Sequence, residues 1–70
     1  MRKNVTGMKV IDMLLGLAEG ESMLVGAVEW TGLGGSFEKT EDYGDGDSYM
    51  VDADGLDDEL DVEAHYEVLR

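Results

Sequence analysis

Apolar residues recur at helical spacing in one clear place along this chain. Val10, Ile11, Leu14, Leu15 and Ala18 fall three and four apart and give one broad apolar face. Thr6 stands where an N-cap belongs, and Gly20 follows the last periodic residue, where a C-terminal cap is expected. The pattern predicts a helix over about residues 6–19. Gly16 inside it either weakens the helix or lets another element come close.

Strand-like stretches follow. Residues 23–30 read as one strand, with Met23, Val25, Ala27 and Glu29 on one face and Leu24, Gly26, Val28 and Trp30 on the other. Both faces are largely apolar, which suits a central strand. The glycines of Thr31-Gly32-Leu33-Gly34-Gly35 mark a turn. Residues 37–43 and 48–53 form two more strand candidates. They flank Gly44-Asp45-Gly46-Asp47, whose Gly and Asp tolerate positive φ, so a hairpin is expected.

The C-terminal segment reads two ways. Asp54 can cap a helix with Asp57, Asp58 and Glu59 in its first turn and Leu56, Leu60, Ala64 and Val68 on one face. Val62, Ala64, Tyr66 and Val68 also alternate with Glu63, His65 and Glu67, which is a strand pattern. A loop over 55–60 and a strand over 61–69 is the preferred reading. The whole predicts a single α+β domain, with one N-terminal helix packed on a small antiparallel sheet of three or four strands.

Composition bounds the chemistry. Seventy residues lie near the lower limit for independent folding, and with no cysteine there is neither a disulfide nor a thiolate metal site. A hydrophobic content of 43%, including Trp30, Phe37 and three tyrosines, is too rich for a disordered acidic tail. Lys9 and Asp12 interrupt the apolar stretch from Met8 to Ala18, so it reads as an amphipathic helix and not as a signal peptide or membrane span.

Charge changes the picture most. Residues 38–70 hold thirteen acids against two bases, a net of −11, whereas residues 1–37 hold four acids against three bases, a net of −1. Self-repulsion of this kind asks for a basic partner, bound cations or a salty cytoplasm. It also repels nucleic acid phosphates and anionic membranes, so direct binding to either is not expected.

Specific sites are weakly supported. An ion-loop register with Gly55 at position six places Asp52, Asp54 and Asp61 as ligands but puts Met50 first, where it cannot ligate, so no metal is expected. His65, the one histidine, falls beside Glu63 and Glu67 on a polar face and reads as a surface residue. The Gly32-Leu33-Gly34-Gly35 run lacks the lysine of a phosphate loop. Neither a catalytic residue nor a cofactor is expected, and the chain does not read as an enzyme.

The acids themselves remain. On one face of a strand they repeat about every 6.6 Å, close to the roughly 6–7 Å between successive phosphates along a DNA backbone. The rows expected are Glu38, Thr40 and Asp42; Asp52 and Asp54; and Glu63, His65 and Glu67. Asp57, Asp58, Glu59 and Asp61 extend them through a loop, and Glu41, Asp45 and Asp47 add charge around the hairpin turn. These thirteen acids form the expected partner-binding surface, with Tyr43, Tyr49 and Tyr66 set among them as candidate hot spots.

Small size, absence of cysteine, an acidic half and a helix-plus-sheet pattern give the chain a profile that resembles small phage-encoded DNA mimics. These include anti-CRISPR proteins and, more distantly, uracil-DNA glycosylase inhibitors, whose groove-entering stretch Glu21-Ser22-Met23-Leu24 resembles. The resemblance implies a stoichiometric inhibitor, monomeric or weakly dimeric, in the cytoplasm of a bacterial or archaeal host. Its implied partner is a basic DNA-binding protein such as a Cas effector or a CRISPR surveillance subunit, blocked at its DNA or PAM groove. The rival expectations are halophilic adaptation, and a structural protein that self-assembles through the helix and Trp30.

Overall fold

The computed structural model describes residues 2–41 and 47–69. The elements are β1 (Arg2–Thr6), α1 (Gly7–Leu15), β2 (Ser22–Val25), β3 (Val28–Gly32), β4 (Ser36–Thr40), β5 (Ser48–Asp52), α2 (Leu56–Glu59) and β6 (His65–Leu69). A short 3₁₀ turn, Ala53–Gly55, leads from β5 into α2. All six strands join one antiparallel sheet in the order β1-β6-β2-β3-β4-β5. The architecture is α+β, as expected, but with six strands and two short helices in place of three or four strands and one helix.

The helix forms for the reasons its sequence suggests and stops sooner. Thr6 is the N-cap, its hydroxyl accepting from the Lys9 N–H at 3.4 Å, and Val10 and Leu14 are fully buried. The C-cap is Gly16 and not Gly20: its N–H reaches the carbonyls of Asp12 and Met13 at 3.2 Å. Residues 17–21 then fold back as a turn. There the Ala18 N–H donates to the Glu21 carboxylate at 2.8 Å, and Gly20 and Gly32 join by backbone at 2.8 Å. Gly32 has no room for a side chain, because a Cβ there would lie 2.9 Å from the Ala18 carbonyl oxygen.

The expected strand over 23–30 is a tight hairpin. Val25 pairs with Val28, and Gly26 takes φ +63° at the turn, a conformation that glycine adopts without steric cost. This explains why both faces of the stretch look apolar. The alternation reverses at the turn, so Met23, Val25, Val28 and Trp30 share the core side, and Leu24 and Glu29 share the other.

The C-terminal segment follows only part of each pattern: where a loop is expected over 55–60 the chain forms the end of the 3₁₀ turn and α2, and the strand expected over 61–69 is shorter. Leu56 and Leu60 are buried at the two ends of α2, and the strand begins only at His65. Asp54 does not cap α2; that position is Gly55, with no side-chain hydrogen bond. β1 carries only five residues and forms no hairpin with its sequence neighbours, so periodicity alone did not reveal it. It is held by β6, through pairs from Arg2 with Leu69 to Thr6 with His65. The second expected hairpin is present as β4 and β5, while most of its turn, residues 42–46, lies outside the described residues.

Both helices cover one face of the sheet. Val10, Leu14, Leu56 and Leu60 pack there against Met23, Val25, Trp30, Phe37, Val51 and Val68. Trp30 is 1% exposed and meets Phe37 edge to face, with ring centroids 6.4 Å apart at 71°. Buried this completely, Trp30 is core and not a surface for self-assembly.

Candidate interaction surface

Among the described residues, no helix lies on the opposite face of the sheet. The strand register assigns to it Asn4 and Thr6 of β1, His65, Glu67 and Leu69 of β6, and Ser22 and Leu24 of β2. From β3, β4 and β5 it receives Glu29, Thr31, Ser36, Glu38, Thr40, Ser48, Met50 and Asp52. One alignment stands out. Glu29 pairs with Thr40, Glu38 lies two residues before Thr40 and pairs with Met50, and Asp52 lies two residues beyond Met50. Glu29, Glu38 and Asp52 therefore step diagonally across three adjacent strands in one direction. Diagonal neighbours in such a ladder lie roughly 7–8 Å apart. Glu29 is half-buried, while Glu38 and Asp52 are exposed.

The expected rows along the strands do not form as such. Glu38 and Thr40 share the open face, but Asp42 and Asp45 lie outside the described residues, as does Tyr43. Asp52 ends β5, and Asp54 leaves the row by entering the 3₁₀ turn. His65 and Glu67 share the open face of β6, whereas Glu63 sits in the turn that precedes it. Glu41 and Asp47 are exposed at the turn end of the β4–β5 pair, joined by a backbone contact of 3.4 Å. The Thr40 and Ser48 hydroxyls lie 3.1 Å apart beside them.

Asp57, Asp58 and Glu59 belong to the helix layer, on the other side of the molecule from the diagonal. With only four residues, α2 splays its acids and aligns none of them four apart. Lys39 answers one: its ammonium donates to Glu59 Oε1 at 3.0 Å and lies 5.7 Å from the centre of the Trp30 ring. The segment after α2 is fixed by its backbone. Asp61 accepts the Glu63 N–H at 2.9 Å and donates its own N–H to the Tyr66 hydroxyl at 3.0 Å. Tyr66 is half-buried, so of the two described aromatic candidates Tyr49, 51% exposed on β5, is the more accessible.

Two points escaped the sequence. Glu29 falls in the nearly neutral N-terminal stretch, and only the β3–β4 register brings it beside Glu38. The charge split along the chain is also not a split in space. β6, from the acidic part, sits between β1 and β2, from the neutral part.

Among the described residues, no three His, Asp or Glu side chains gather in a way that could hold a metal ion, and no helix is long and apolar enough to cross a membrane. Comparison with protein families, with curated proteins and with solved structures finds no match for this chain.

Proposed function

We propose that this protein is a DNA-mimicking inhibitor that occupies the basic groove of a nucleic-acid-binding protein. The observation that supports it best is the diagonal Glu29–Glu38–Asp52 on a sheet face that, among the described residues, no helix covers. Its roughly 7–8 Å step is close to the separation of phosphates along a DNA backbone. A sheet holds such a row still, which an acidic tail cannot do. Asp54, Asp57, Asp58, Asp61 and Glu63, on the helix side, contribute the long-range field that speeds encounter with a cationic groove. The resemblance to phage-encoded mimics suggests a Cas effector or surveillance subunit blocked at its DNA or PAM groove.

The test is affinity capture from a bacterial lysate at low salt, with duplex DNA as competitor. The reading expects a DNA-binding protein that duplex DNA displaces and that a triple variant (Glu29→Lys, Glu38→Lys, Asp52→Lys) no longer retains. Retention of the same protein by the triple variant would sink it.

The interleaving of acidic and neutral segments favours one rival, adaptation to high salt, because carboxylates occur on both layers of the molecule. A halophilic domain unfolds when salt is withdrawn. A mimic stays folded there and binds its partner more tightly.

A further inference from the structure

The sheet ends in β1 on one side and β5 on the other. β5 reads Ser48-Tyr49-Met50-Val51-Asp52, without Lys, Arg or Pro, the residues that commonly keep an edge strand from accepting another. Among the described residues it pairs only with β4, so its outward-facing backbone N–H and C=O groups have no ladder partner. Val51, 8% exposed, anchors the strand in the core. Met50, 65% exposed, stands on the open face, and Tyr49, 51% exposed, stands on the helix side. An open ladder with an apolar side chain on each face is what strand addition uses: backbone bonds supply affinity and alternate side chains supply specificity.

We propose that β5 is a docking edge that accepts an extended, lysine- or arginine-bearing segment of a partner protein as a seventh strand. Charge selects the occupant. Asp47 precedes the strand, Asp52 ends it, Asp54 follows it, and Glu38 lies beside Met50 on the open face. A second copy of β5 would bring the same acids together on two chains of net charge −12 each. A basic segment instead sets cations against them, where opposite charges across a ladder stabilise. The inference rests on the inhibitor reading for the sign of the partner's charge and adds the mode of contact.

The probe is a synthetic peptide alternating valine and lysine, titrated into the isotopically labelled full chain while amide hydrogen exchange is followed. Exchange of the outward-facing β5 amides should slow by about tenfold or more at saturation. A valine–glutamate peptide, and a valine–lysine peptide N-methylated at every residue so that neither edge can donate, should give no protection. Met50→Lys places a guarding charge on the edge and should abolish the effect with Trp30 emission unchanged. Protection elsewhere but not on β5 would overturn the proposal. So would equal binding by the N-methylated peptide, indifference to Met50→Lys, or self-association seen by sedimentation. A DNA-displaceable partner whose capture ignores Met50→Lys would leave the inhibitor reading standing and remove this one. Peptide docking on β5 with no DNA-displaceable partner would do the reverse.

Discussion

The Lys39 ammonium lies 3.0 Å from Glu59 Oε1 and ties the sheet to α2 across 20 positions of sequence. It does so over the Trp30 ring and with only 18% of its side chain exposed, so its methylenes also cover the core.

Replacing Lys39 with methionine keeps that cover and removes the charge. The ion pair is partly exposed, so the loss should be about 0–1 kcal/mol. That corresponds to a fall in Tm of at most roughly 4–8 °C for a domain of this size. Thermal melts at low and high salt check it, and the difference between the two proteins should shrink as salt rises.

Gly7 leaves no space for a side chain. A Cβ there would overlap the Asp61 carbonyl oxygen, and the Gly7 and Met8 N–H groups donate to Ala64 and Val62 at 2.8 and 3.2 Å. Gly7→Ala must push α1 away from the 61–64 turn and should cost about 2 kcal/mol or more by overpacking. Gly26→Asn, at a turn position with open space around it, should cost well under half of that, because Asn tolerates positive φ. Urea denaturation of the two variants side by side checks the ranking.

Trp30 reports on the core because it is the only tryptophan and is 1% exposed. Its emission should be that of a dry site and should shift to the red on unfolding. Trp30→Ala removes its contact with Phe37 and opens a cavity, at a cost of about 3–5 kcal/mol. In a small domain that is a large share of total stability, so circular dichroism should find the variant substantially unfolded at 37 °C.

Tyr66→Phe removes the acceptor of the Asp61 N–H and leaves the ring in place. The expected cost is about 0.5–1.5 kcal/mol. Faster hydrogen exchange at Asp61, with little change at Val25 or Val68, is the signature to look for.

Local signals made part of this fold legible. Thr6, with Val10 and Leu14, specified the start and face of α1, and the β4–β5 pair followed from alternation around a Gly/Asp turn. Gly26 carried the information for the β2–β3 turn, but a two-residue loop between apolar runs reads equally as one continuous strand. β1 depends on a partner more than fifty residues away, a pairing that no local pattern encodes. The diagonal was illegible for a related reason. Glu29, Glu38 and Asp52 are ordinary acids until register places them on adjacent strands.

The place of β6 between β1 and β2 bears on how the molecule comes into being. On the ribosome, β1, α1 and the β2–β3 hairpin emerge long before residues 65–69, yet β1 has no sheet neighbour until those residues arrive. The first half of the chain must therefore wait, its apolar stripe uncovered, and the sheet closes in a late, long-range step. A truncation lacking residues 65–69 should not be a smaller version of this protein but an aggregation-prone chain, a natural target for chaperones and proteases.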